Sequence, residues 1–291
     1  MRTAIAIVVT LAAALSFASS SVAEQRSTQE VPRRGVLAPR LLLDLLRRPL
    51  WLAAIVLNAV GSVLQVVALH FGALALVQPL LVCNLLFAVV IAVALRHRRP
   101  DWVIAGGVVA CAAGIAGFIA VARPSGGRNT VSLLAVLPLA AGLAAVLTIC
   151  LAGLKWAPRD LRPLMLALAT GVDFGVTAFL LKLLPQALAH GFSHPAQLWP
   201  LFALMVTGPL GFLLSQNAFQ ADILISPVLA VITTTDPLVS IGIAHLWLNE
   251  RLASSAPAIA GEVISMAVMA GGIAALSRRA PHVAPHAARD R

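Results

Sequence analysis

Residues 224–251 read LISPVLAVITTTDPLVSIGIAHLWLNER, an apolar run long enough to cross a bilayer with a polar knot at its centre. The knot is Thr233, Thr234, Thr235, Asp236 and Pro237. A carboxylate in hydrocarbon costs several kcal/mol, so it faces protein, a partner charge or water rather than lipid. Pro237 has no backbone N–H, and the neighbouring hydroxyls can bond the carbonyl that it frees. The stretch reads as one wall of a polar cavity near mid-membrane. A proline-kinked helix holding a neutral, hydrogen-bonded Asp is the plainer reading of the same residues.

The rest of the chain is built to match. It is 60% hydrophobic and 11% charged over 291 residues, with a mean hydropathy of +0.94. A soluble domain cannot hide that much apolar surface, so the composition indicates a multi-spanning membrane protein. The net charge of +10 lies in short connections, where it orients the chain, and not on one soluble face as nucleic-acid binding requires. Cys83, Cys111 and Cys150 sit inside apolar runs without metal-ligand spacing and read as small buried residues.

Nine apolar segments can be marked, at 4–23, 50–70, 74–95, 102–122, 131–154, 163–188, 198–217, 223–247 and 256–276. Each is about as long as a ~30 Å hydrocarbon core requires at ~1.5 Å per residue. Barrel strands are half that length and alternate in polarity, which excludes a transmembrane barrel. The fold class is therefore an all-α membrane protein of about nine helices.

The first segment imitates a secretory signal, with Arg2, an apolar stretch and Ser21-Val22-Ala23. Charge argues against cleavage. If the N-terminus is outside and sides alternate, sixteen basic residues fall inside: Arg26, Arg33, Arg34, Arg40, Arg47, Arg48, Arg96, Arg98, Arg99, Lys155, Arg159, Arg162, Arg278, Arg279, Arg289 and Arg291. Only Arg2, Arg123, Arg128 and Arg251 fall outside, and Lys182 lies within a helix. Removing the first segment would invert this bias. The expectation is a cytoplasmic-membrane protein with its N-terminus outside and its C-terminus inside. Trp51, Trp102, Trp156, Trp199 and Trp247 all fall at segment ends, where an indole prefers the headgroup level. Residues 24–49 read as a basic inner linker and 123–130 as a Pro/Gly turn outside. The tail 278–291, with Pro281, His282, Pro285 and His286, lacks an apolar face and reads as disordered.

The chain also repeats itself at an offset of about 155 residues. Phe17 and Arg26 match Phe174 and Lys182, Gln65 matches Gln216, and Gln78-Pro79 matches Asp236-Pro237. Gly107-Val108-Val109 followed by Gly117 and Ile119-Ala120 matches Gly261-Glu262-Val263 followed by Gly271 and Ile273-Ala274. The first repeat spans 1–122, a connecting helix lies in 123–162, and the second repeat spans 163–277. An offset of five helices gives the halves opposite orientation, the architecture of secondary transporters with a site at the repeat interface.

The pattern of Gln65, Ala68, Leu69 and Gly72 before Leu76-Val77-Gln78-Pro79-Leu80-Leu81 resembles bacterial members of the drug/metabolite transporter superfamily. So does Gln216-Asn217-Ala218-Phe219-Gln220-Ala221, with Asp236-Pro237-Leu238-Val239 and Asn249-Glu250-Arg251. The resemblance covers nearly the whole chain and is strongest to the EamA-like, NIPA-type magnesium-transporter branch. It implies transport of a small metabolite or cation by alternating access, with Mg²⁺ among the candidates. The chain departs from the superfamily in having nine helices where many members have ten. It also has Ala221-Asp222-Ile223-Leu224 where relatives often carry Ala-Gly-Pro-Leu.

Asp173 and Asp236 fall near mid-membrane, and Glu262 in the outer third. Thr170, Asp173 and Thr177 are spaced three and four apart on one helix face. All three acids belong to the second half, so the site is expected to be electrically lopsided. Such carboxylates can coordinate a cation through oxygen or carry a proton. Lys182, near the outer surface, reads as snorkelling to the interface. The candidate substrate- or ion-binding set is Asp173, Thr177, Asp236, Thr235, Glu262, Gln65, Gln78, Gln216 and Asn217. Asn58 and Asn84 add further amides, which equally serve as glue between helices. The Gly and Ala rows of segments 4 and 9, including Gly106, Gly107, Gly114 and Gly117, point to close helix packing. No nucleotide-binding motif occurs, so no cofactor is implied. The expected partners are the bilayer and a small-molecule or cation substrate, and a homodimer is compatible with the architecture. The rival class is an integral-membrane enzyme acting on a lipid or prenyl substrate. That class needs clustered His, Asp, Arg or Cys near one membrane face, and the sequence has no such cluster.

Overall fold

A computed structural model describes residues 2–29, 46–94, 102–128, 130–158, 161–189, 195–221, 225–253 and 255–279. The polypeptide is almost wholly helical: α1 Arg2–Gln29, α2 Pro49–Phe71, α3 Leu74–Leu81, α4 Cys83–Ala94, α5 Trp102–Ala122, α6 Leu133–Gly153, α7 Arg162–Ala189, α8 Trp199–Ala221, α9 Ile225–Leu246 and α10 Ala256–Arg279. Among the described residues, eight helical stretches are long and apolar enough to cross a membrane, with α3 and α4 counted as one. In α9 the piece Val231–Leu246 is apolar but shorter. Outward-facing Leu134, Ile149, Val206 and Val263 are each more than 60% exposed, and an apolar belt of this kind needs lipid around it. The chain is a multi-pass, all-α membrane protein.

The segment expected at 74–95 is broken. Pro79 offers no N–H to the preceding turn, and Val82 instead donates to the Pro79 carbonyl at 3.2 Å, a tight turn that separates α3 from α4. The first and last helices run past their expected ends. α1 reaches Gln29, so residues 24–29 of the expected linker are helical, and α10 takes in Arg278 and Arg279 of the expected tail. Residues 30–45 of the linker and 280–291 of the tail lie outside the described residues, as does the Asp222-Ile223-Leu224 departure.

Small residues decide which helices touch. α1 and α2 run antiparallel: the hydroxyls of Ser16 and Ser20 donate to the Leu57 and Ala54 carbonyls, each at 2.8 Å. A Cβ at Gly61 of α2 would sit 2.8 Å from the Phe17 ring. α7 and α8 repeat that arrangement, with Gly211 of α8 lying under the Phe174 ring. α7 turns another face to α9, where Gly171 and Gly175 abut Thr235 and Val239. α5 and α10 form a separate antiparallel pair in which Gly114, Gly117 and Gly272 meet Met269, Ser265 and Cys111, so the expected glycine packing is present there. Gly106, with nothing within 4 Å, takes no part in it. Without a hydrophobic force between helices in lipid, such close approach is what holds them together.

One end of the bundle is closed by a two-stranded antiparallel ribbon, Ser125–Gly126 against Glu250–Arg251. Gly126 and Gly127 turn there with φ of 74° and 104°. A Cβ on Gly127 would lie 2.7 Å from the Glu250 side chain, so a bulkier residue would crowd the acid that the ribbon carries.

Trp102 and Trp156 are highly exposed at helix ends, as their sequence positions suggest, and the His70 and His245 side chains are exposed as well. Trp51 is the exception. It lies at the start of α2 but points inward, buried, with its ring 6.0 Å from that of Phe212. A neighbouring helix covers it, so its burial comes from packing and not from the headgroup layer.

Candidate functional site

A cavity of about 100 Å³ opens where α1, α2, the α3–α4 break, α7, α8 and α9 meet. Its polar lining comes from both halves of the chain: Ser21, Glu24, Asn58, Gln78 and Asn84 from the first, Ser215, Thr233 and Asp236 from the second. Among the described residues none that lines it is basic. A larger cavity of about 340 Å³ near Thr130, Gln186 and Trp199 carries no ionisable group.

Glu24 is the residue that sequence reasoning missed, and it overturns the expectation that acids come only from the second half. Its carboxylate is 4% exposed and accepts from the Ser20 hydroxyl at 2.7 Å and from the Gln216 amide at 2.8 Å. The Asn58 amide bonds it too. Its position just after a small-residue triplet makes it look like the first residue of a loop. The available signal is Ser20 four residues earlier, which places both on one helical face. At roughly 42 Å by its residue count, α1 is long enough to carry that face beyond the hydrocarbon core and still inside protein.

Asp236 lines the cavity through α9, and its Oδ1 accepts from the Ser240 hydroxyl at 3.2 Å. Gln78, its counterpart in the repeat, lies in the same cavity on α3. The Gln78 side chain is 1% exposed, and neither amide atom has a hydrogen-bond partner. A buried amide left with both atoms unbonded costs on the order of 1–3 kcal/mol for each group, so it points to a ligand or water in this space.

The other candidates disperse. Gln216 stands one bond behind the cavity, on Glu24. Asn217 bonds its own helix at the Leu213 carbonyl, 2.7 Å away, and Thr235 packs on Gly171. Gln65 is buried in α2 outside the cavity lining. Asp173 sits on the α8 side of α7, its carboxylate directly against Gly211, and Thr177 follows one turn further along α7. Glu262 lies on α10, within electrostatic reach of His245 and away from the other acids. Among the described residues no three His, Cys, Asp or Glu side chains converge as a metal cluster, and all three cysteines are free thiols.

Lys182 does not snorkel. It is 6% exposed, and its ammonium donates to the carbonyls of Gly72 at 2.6 Å and Leu69 at 3.2 Å. It also lies 3.6 Å from Glu250. Glu250 in turn accepts from the N–H groups of Leu74 at 2.7 Å and Ala75 at 2.9 Å. A cation thus meets the C-terminus of α2 and an anion the N-terminus of α3, the pairing that helix dipoles favour. The α7 face that carries Lys182 is covered by protein, so the shortest route to a partner is inward.

No protein-family profile matches the chain, and no solved structure matches it. It is 30% identical over 252 residues to an uncharacterized protein of Corynebacterium glutamicum, an alignment covering 85% of this chain and 86% of that protein. The chain belongs to the same family as that Corynebacterium glutamicum protein.

Proposed function

We propose that the protein is a secondary transporter of the cytoplasmic membrane that moves a small cation, or a small metabolite bearing one, by alternating access. The observation that carries this reading is that Glu24, Gln78 and Asp236, from opposite halves of the chain, line one cavity. Two carboxylates that line one cavity favour a positively charged guest. Size narrows the choice. A cavity of about 100 Å³ holds roughly three waters' worth of volume, far short of the ~300 Å³ or more of a drug-sized pocket. Mg²⁺, which the sequence resemblance brings forward, fits as an ion that keeps several of its waters.

An inverted-repeat layout is part of the same reading, and two sets of contacts support it. Phe17 on Gly61 and Phe174 on Gly211 are equivalent contacts, and α1–α2 pairs as α7–α8 does. α3 and α9, which carry Gln78-Pro79 and Asp236-Pro237, pack against each other, as two elements beside a pseudo-two-fold axis would. The drug/metabolite transporter superfamily is the proposed wider kinship. The test is uptake into proteoliposomes, with Mg²⁺ and cationic amino acids as first substrates. Wild-type uptake that Asp236→Asn and Glu24→Gln each abolish is the expected result. Uptake unchanged in both variants would sink the proposal.

A further inference from the structure

Beside the cavity, four buried oxygens of α7 and α8 have no hydrogen-bond partner: both carboxylate oxygens of Asp173 and the hydroxyls of Thr177 and Thr207. Asp173 is fully buried and Thr207 is 8% exposed. A hydroxyl in an apolar helix ordinarily bonds the carbonyl four residues back, as Thr170 does to Leu166 at 2.7 Å. Thr177 and Thr207 do not.

The helices bring these groups to one seam. α7 and α8 are antiparallel neighbours, and the Asp173 carboxylate rests against Gly211. One turn onward along α7 is Thr177, and one turn back along α8 is Thr207. Antiparallel helices set those two positions level with each other, directly above the carboxylate. Among the described residues no positive charge balances the acid. Lys182, on the same helix, is engaged with Glu250, Gly72 and Leu69. The described parts of α6 and α8 carry no charged residue, His70 of α2 and His245 of α9 are exposed, and Asp236 of α9 lines the cavity.

We propose that Asp173, Thr177 and Thr207 form a site for a small, hard monovalent cation of the sodium class, separate from the central cavity. An all-oxygen donor set selects a hard ion. A single carboxylate neutralises one positive charge, whereas a divalent ion would leave a net charge in the membrane interior. The site itself stands on the α7–α8 contact, and its role as the coupling site rests on the transport reading above.

The test is thermal unfolding of the purified full chain in detergent, in NaCl against choline chloride at equal ionic strength. Saturating sodium should raise the midpoint by about 2–4 °C through mass action on the folded state. The shift should persist in Asp236→Asn and vanish in Asp173→Asn and Thr207→Val. Thr207→Val keeps the side-chain shape and removes a hydroxyl that bonds nothing, so it should unfold like wild type in choline. A wild-type protein indifferent to sodium overturns the proposal. So does a shift that survives in Asp173→Asn and Thr207→Val, or one lost in Asp236→Asn, which would move the ion to the cavity. An intact, Asp173-dependent shift without any uptake in proteoliposomes supports the site and counts only against transport.

Discussion

Glu24 and Gln216, 192 residues apart in sequence, are joined by a 2.8 Å hydrogen bond from amide to carboxylate behind the central cavity. The bond ties α1 to α8, and with them the two halves of the chain. It also leaves Gln216 Oε1 without a partner, so the amide orientation serves the acid alone. A charge-assisted contact of this kind is worth about 1.5–3 kcal/mol. Gln216→Leu should therefore weaken substrate transport by roughly tenfold to a hundredfold while Glu24 remains in place. Concentration dependence of uptake in proteoliposomes checks this, and unchanged kinetics would show that Gln216 does not position the acid.

The Lys182–Glu250 pair makes a prediction about stability. Both side chains are almost wholly buried, at 5% and 0% exposure, so solvent screening does not soften their interaction. Removing one partner leaves an uncompensated buried charge, which costs on the order of 3–5 kcal/mol. Lys182→Met and Glu250→Gln should each lower the unfolding midpoint markedly. Glu250→Gln also weakens the cap on Leu74 and Ala75. In the double variant the loss should be smaller than the sum of the two. Strict additivity in the thermal midpoints would mean that the two groups act independently.

Glycines that look alike in sequence should behave oppositely. At Gly114 a Cβ would fall 2.6 Å from backbone atoms of Met269 and Ser265, so Gly114→Ala should force α5 and α10 apart and destabilise the protein. Gly106 has open space, and Gly106→Ala should be neutral or gain up to about 1 kcal/mol of helix propensity. Thermal unfolding of the two variants side by side decides it. Equal effects would refute the close α5–α10 seam.

Topology supplies a further check. Sixteen basic residues on one side against four on the other predict a cytoplasmic C-terminus and an external N-terminus, so a reporter fused after Arg291 should respond as cytoplasmic. α1 contributes Ser21 and Glu24 to the cavity and buries Ala13, Ala14 and Ala18 against its neighbours. The mature protein should therefore retain it. Mass spectrometry that finds a chain starting at Glu24 would contradict both the orientation and the repeat.

Hydropathy and length made the membrane class, the helices and the polar knot of α9 legible in the sequence, because a bilayer imposes a fixed span and penalises each buried charge separately. The expected repeat matches Gln78-Pro79 with Asp236-Pro237, and both Gln78 and Asp236 line the cavity. Partnership was not legible. Whether Asp173 turns to the cavity or to α8 depends on which face of α7 the glycines Gly171 and Gly175 give to α9, and that is a property of two helices together. Glu24 looked like a loop residue and Lys182 like an interfacial one because their partners, Gln216 and Glu250, lie 192 and 68 residues away. Burial of a charge is settled by what covers it, and only the tertiary fold brings those covers together.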